Sequence, residues 1–192
     1  MLIKDTDEFK KNVDMGLIGE NWVRWLLDQC GHMIKYNGYR AGMGYINDLD
    51  NAKILYHRKI SSGNIGKNQS NQGKKEIHRS HDLECDLCHL KVEVRTKSRW
   101  NIAMSSDMEC YNEKTWIFFP IVKNEQVRHL YIVRIKDLRR YKDNAEIRKN
   151  RAGENYYKWL VSRIPHLSID CTTIEQGKAV EILKAYGFGC LP

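Results

Sequence analysis

The stretch His81-Asp82-Leu83-Glu84-Cys85-Asp86-Leu87-Cys88-His89-Leu90-Lys91-Val92-Glu93-Val94-Arg95-Thr96-Lys97 decides how this chain is read. From Val92 onward it alternates apolar or small residues with charged ones. Side chains of a strand alternate faces, at a rise of about 3.3 Å per residue. Glu93, Arg95 and Lys97 therefore share one face, and Val92, Val94 and Thr96 the other. The valine face belongs against a core. An acid, a guanidinium and an amine opposite it mark either a polar site or bulk water. Asp82 precedes this segment by one short turn. If it ends the neighbouring strand, its carboxylate can meet that of Glu93. Two converging carboxylates suit Mg²⁺, which takes hard oxygen ligands and keeps several waters for a phosphate substrate. The plain alternative is an exposed strand with solvated charges beside an ordinary turn.

An Asp, a hairpin and then Glu-x-Lys on a strand resembles the PD-(D/E)XK restriction-endonuclease-like nuclease superfamily. Upstream, Gly16-Leu17-Ile18-Gly19-Glu20-Asn21-Trp22-Val23-Arg24-Trp25-Leu26-Leu27 looks like that superfamily's first helix, which often carries a Glu facing the metal site. Cys30-Gly31-His32 and an extended Met33-Ile34-Lys35-Tyr36 follow in the expected order. Thr115 to Val122 and His129 to Ile135 resemble the later strands. Two positions depart from the pattern. His81-Asp82 stands where the family has Pro-Asp, and Arg95 where it usually has Lys. An Arg stays protonated and cannot act as a base. It can still grip a phosphate bidentately and offset charge in the transition state.

The resemblance implies an α/β fold in a single domain, 1–192, with a central mixed β-sheet flanked by helices on both faces. It implies a metal-dependent endonuclease that hydrolyses DNA phosphodiester bonds; the short single domain suits a restriction-type, sequence-specific enzyme cutting as a homodimer, with a repair or junction-resolving nuclease left open. Asp82 and Glu93, assisted by Glu20, would hold Mg²⁺. Arg95 would position the scissile phosphate, and Lys97 or a substrate phosphate would take the proton. A second class of function is a catalytically inactive nucleic-acid-binding module on the same scaffold, which the Arg at the Lys position favours. For Glu20 alone, the plain alternative is an exposed helix residue balancing Arg24 one turn on.

Bulk properties agree with one globular domain. The chain has 192 residues, 42% of them hydrophobic and 29% charged, enough to bury a core without staples. Its formal net charge is +8, which favours a polyanionic partner such as nucleic acid. No run reaches the ~18 apolar residues of a membrane span, and the acidic N-terminus does not read as a secretory signal. The expected location is cytoplasmic, with the six cysteines as reduced thiols or metal ligands.

Along the chain, residues 6–29 read as a helix with Leu17, Trp22, Leu26 and Cys30 on its apolar face and Gly31 as its stop. Residues 37–52 read as loop. Residues 61–80, SSGNIGKNQSNQGKKEIHRS, read as a flexible basic loop that contacts DNA phosphates through Lys67, Lys74, Lys75 and Arg79. The plain alternative is a solvated insertion. Residues 115–122 and 129–135 read as buried strands, with Pro120 making the first short or near an edge. Asp137 caps an expected basic helix over 138–151, and 153–170 is open between helix and strand. Thr173 to Tyr186 reads as a helix stopped by Gly187.

Cys85-x-x-Cys88 has half the spacing of a zinc site. Three readings stay open: a structural Zn²⁺ completed by His81, His89, Cys110 or Cys171, a redox pair, or plain thiols in a turn. A zinc-stabilised interaction protein is the corresponding third class of function. Asp86 is the fallback for Asp82. His81 is a candidate proton-transfer group in place of the missing Lys.

Overall fold

A computed structural model describes residues 6–36, 82–105, 108–109, 111–149, 155–172 and 176–190. The loops at 37–52 and 61–80, with Lys67, Lys74, Lys75 and Arg79, lie outside the described residues, as do His81 and Cys110. The protein is a mixed α/β structure built on a largely antiparallel sheet. No helix among the described residues is long and apolar enough to cross a membrane.

Helix α1 spans Thr6–Gln29. Its buried residues Val23, Leu26, Leu27 and Cys30 repeat at the spacing that builds one apolar stripe. The chain then leaves the helix through Gly31, whose φ of 92° is open to glycine at no steric cost. Gly31 N–H donates to Asp28 C=O at 3.0 Å and His32 N–H to Leu27 C=O at 3.1 Å. That pair of bonds is a Schellman cap, and it fixes the direction in which His32 leaves the helix.

Strands β1 (Ile34–Tyr36), β2 (Leu83–Cys85) and β3 (Lys91–Val94) form an antiparallel meander. After β4 (Ile102–Ser105), strand β5 (Trp116–Lys123) returns parallel to β3. Strand β6 (Gln126–Arg134) pairs antiparallel with β5 through a two-residue turn. Asn124 and Glu125 both take positive φ there, 50° and 59°, as a type I′ hairpin requires. Helix α2 (Ile135–Arg140), strands β7 (Glu146–Lys149), β8 (Asn155–Trp159) and β9 (Leu167–Asp170), and helix α3 (Gln176–Leu183) complete the order. Among the described residues the main sheet has six strands in the order β1-β2-β3-β5-β6-β9, and a second sheet has three, β4-β8-β7.

The two faces of the main sheet are covered differently. Val92, Val94, Phe118, Leu130 and Ile132 face α1 and α3 in one apolar cluster. Ile117, Phe119, Ile121, Tyr131 and Val133 face the other way, onto Ile102, Met104 and Trp159 of the small sheet and Ile135 and Leu138 of α2. Helices thus dominate only one face, where the sequence predicts them on both. Burial on both sides is why β5 reads as a continuous apolar run.

Other expectations also change. Pro120 sits inside a central eight-residue strand, not at an edge. It supplies no N–H to the ladder, and the β5–β6 register shifts immediately after it, between Ile121 and Val122. The basic segment 138–151 is not one helix: α2 stops at Arg140, and residues 150–151 lie outside the described residues. Ile135 and Leu138 are the only buried residues of α2, no apolar stripe continues past them, and residues 146–149 pair with β8 instead. Segment 153–170 resolves into β8 and β9 with a 3-10 turn at Val161–Arg163 between them. The C-terminal helix is described from Gln176, its expected start at Thr173 lying outside the described residues, and it ends in a π turn, Lys184–Phe188, broken by Gly187 at φ 86°. Phe188 anchors that end on the sheet, edge-on to Trp116 at 4.7 Å and Phe118 at 5.6 Å between ring centroids.

Candidate functional site

The β2–β3 register pairs Leu83 with Val92, so one step further along Asp82 stands opposite Glu93. The Asp82 carboxylate accepts a hydrogen bond from Val94 N–H at 2.8 Å, which sets it against the peptide joining Glu93 to Val94. Glu93 itself is only 4% exposed. Its Oε1 lies 2.8 Å from Arg95 Nε, and its Oε2 is shielded from solvent. Arg95 Nη2 donates to Tyr111 Oη at 2.8 Å. About a third of the Arg95 side chain stays open to solvent, 31%. Asp82, Glu93, Arg95 and Tyr111 therefore form one polar constellation where the sheet face turned away from α1 loses its apolar cover.

Lys97 continues the β3 register, bridged to Ile121 with its N–H donating to Pro120 C=O at 2.9 Å. Its Nζ stands 5.9 Å from the Phe119 ring centroid, on the same face as Glu93 and Arg95. Glu20 belongs to α1, which covers the opposite face. Its Oε2 is buried. Gly19 brings this turn of α1 against the sheet: a Cβ there would collide with Thr96 Oγ1 and lie 2.9 Å from Pro120 Cγ. Asp86, the fallback acid, is an exposed turn residue paired with Lys35 at 2.5 Å and stands outside the constellation.

Tyr111 is absent from the sequence reading. It lies in the connection before β5, held from behind by Arg139, whose Nη2 donates to the carbonyls of Met108 (2.8 Å) and Tyr111. Nothing local signals this. Arg139 reads as one charge among many in a basic run until the fold turns it inward.

A second cluster lies at the turn of the same hairpin. The Sγ atoms of Cys85, Cys88 and Cys190 and a ring nitrogen of His32 lie within 4.8 Å of one another. These four residues can bind a metal ion such as zinc. Two of the expected ligands are elsewhere. His89 is an exposed turn residue 3.9 Å from Glu84 at φ 57°, a conformation the knuckle-like turn imposes. Cys171 points to Ile169 C=O at 3.6 Å. Burial, reinforced by Asp170, pushes its thiol up to about 12. Burial opposes ionisation of Cys85, yet the backbone N–H groups of Cys88 and Leu87 and the His32 ring bring it down to about 6. Cys190 moves the other way, to about 12, through burial and the neighbouring thiols of Cys88 and Cys85. Cys85 is thus more readily present as a thiolate than Cys190.

No protein-family model, curated protein or solved structure matches the chain.

Proposed function

We propose that the protein is a metal-dependent endonuclease acting on DNA through Asp82, Glu93 and Arg95. The observation that carries this reading is the placement of two carboxylates in opposed register on one sheet face, with a guanidinium 2.8 Å from one of them. The order α1, three-stranded meander and parallel β5 supports a restriction-endonuclease-like arrangement, and the formal charge of +8 supports a polyanionic substrate. The donors fit a hard divalent cation, because both are carboxylates. Asp82 and Glu93 would hold Mg²⁺; Glu20, on the helix that covers the opposite sheet face, is not among its ligands in this reading. Bound there, Mg²⁺ would acidify a coordinated water and offset charge on the phosphate.

The protein's own groups have distinct tasks. Tyr111 and Glu93 orient the Arg95 guanidinium, whose planar donors match phosphate oxygens. With substrate bound, the guanidinium would exchange Glu93 for a phosphate oxygen, and the freed Glu93 carboxylate would be available to hold the cation. Lys97 or a substrate phosphate takes the proton from the attacking water, since Arg95 cannot.

The Glu93–Arg95 ion pair also favours a second reading, a silent DNA-binding module in which that pair is permanent. Incubating a mixed-sequence plasmid and genomic DNA with the protein in Mg²⁺, Mn²⁺ or EDTA separates the two. Metal-dependent fragments that disappear with Glu93→Gln support the endonuclease. Salt-sensitive binding without cutting in any metal supports the module, and absence of both activities rejects each reading.

A further inference from the structure

We infer that His32, Cys85, Cys88 and Cys190 hold one tetrahedral Zn²⁺ that staples three distant segments of the chain together beneath the β2–β3 hairpin. The inference does not depend on the endonuclease reading, because the four ligands lie outside the carboxylate constellation.

The distances fit a single ion. Zinc–thiolate bonds of about 2.3 Å in a tetrahedron put two sulfurs about 3.8 Å apart, and Cys85 Sγ stands 3.8 Å from Cys190 Sγ. A sulfur and an imidazole nitrogen on the same ion stand about 3.5 Å apart by the same geometry. Cys88 Sγ and His32 Nδ1 are at 3.4 Å. A two-iron cluster would spread its ligands over two metal atoms. Four donor atoms all within 4.8 Å of one another suit one ion instead.

The surroundings are those of a built site. His32 Nε2 lies 2.7 Å from Phe188 C=O. That contact keeps the proton on Nε2 and turns the Nδ1 lone pair toward the thiols, the usual second-layer arrangement for a metal-bound histidine. The Schellman cap of α1 delivers His32. Cys190 N–H donates to Cys30 C=O at 3.1 Å, which delivers the last thiol. Asp86 N–H donates to Met33 C=O at 3.0 Å, locking the Cys85–Cys88 turn against the segment after α1. Three thiols and one imidazole from the protein fill all four positions, so the ion has no open site for substrate and its role is structural. It joins the end of α1, the turn of β2–β3 and the C-terminal segment after α3. Asp82 and Glu93 sit at the open end of that same hairpin.

Two measurements on the full chain, purified under reducing conditions without chelator, test the inference. Elemental analysis should find one zinc per chain. After exchange, Co²⁺ should give the intense visible ligand-field bands of a tetrahedral site together with thiolate-to-metal charge transfer. Cys88→Ser and Cys190→Ser should lose the metal or alter that spectrum, while Cys171→Ser should leave both unchanged. Should the ligand variants fail to fold, wild-type protein still decides the matter: chelator should lower its melting temperature and added Zn²⁺ should restore it. A metal-free protein that refuses Co²⁺ and melts identically with and without chelator overturns the inference. So does a Cys85–Cys190 disulfide in its place, or bound iron instead of zinc.

Discussion

Substituting Gly19 by alanine tests how α1 is seated on the sheet. In an open helix the change would stabilise, since alanine is better than glycine by about 0.8–1.0 kcal/mol. At Gly19 the new methyl meets Thr96 Oγ1 head-on, with Pro120 Cγ at 2.9 Å and Thr96 Cβ at 3.0 Å. None of these is the far end of a flexible chain. The Pro120 ring is stiff and belongs to the central strand, and Thr96 has one short branched side chain. The helix must therefore lift, and overpacking of this kind costs about 1–3 kcal/mol. The helix preference offsets part of it, leaving a net loss of about 0–2 kcal/mol. For a chain of this size that lowers the melting temperature by up to about 8 °C, at about 2–4 °C per kcal/mol. Thermal and urea unfolding of wild type, Gly19→Ala, Thr96→Ala and the double variant would measure it. The double variant should recover part of the loss, because the two residues touch and their effects will not add. A Gly19→Ala protein stabilised by the full ~0.8–1.0 kcal/mol of an open helix site would refute the close approach, and with it the placement of Glu20 beside the sheet.

Other consequences are equally specific. Asp82→Asn keeps an oxygen for Val94 N–H and should change stability little, whereas Asp82→Ala strands that donor and should cost about 1–3 kcal/mol in denaturant unfolding. Arg139→Met should lose about 1.5–3 kcal/mol with its charged bonds to the Met108 and Tyr111 carbonyls, and amide exchange should show the connection around Tyr111 opening. Burial holds the His129 ring below its ordinary 6.5, opposed by Asp170 and reinforced by His166. The unfolded chain therefore binds more protons as pH falls through about 6.5, so stability is full above that value and declines below it. Melting curves of wild type between about pH 7.5 and 5.5 should show that decline, and those of His129→Gln should show less of it.

Much of this architecture is legible in local pattern. Val23, Leu26, Leu27 and Cys30 form a helical stripe, Gly31 marks its end, and the alternation at Val92–Lys97 sets Glu93 and Arg95 on one face. What local pattern cannot carry is partnership across the chain. Cys85-x-x-Cys88 reads as half a site because His32 stands 56 residues before Cys88 and Cys190 stands 105 after Cys85, with no spacing rule linking them. Cys30-Gly31-His32 holds the one local clue, since a histidine just past a glycine cap leaves the helix in a fixed direction. The basic run at 138–151 misleads for a related reason. Helical composition there yields to strand pairing with β8, a tertiary gain outweighing weak local preference. Arg139, which looks solvated in sequence, sits in the last turn of α2 and supports Tyr111 through the Met108 and Tyr111 carbonyls.

The most direct test of the central claim is cleavage of duplex DNA by wild type and Asp82→Asn, compared at equal folded fraction. The account predicts Mg²⁺-dependent cutting by wild type, abolished by EDTA and lost in Asp82→Asn although its melting temperature is unchanged. Cutting that persists in EDTA, or that Asp82→Asn retains in full, would contradict it.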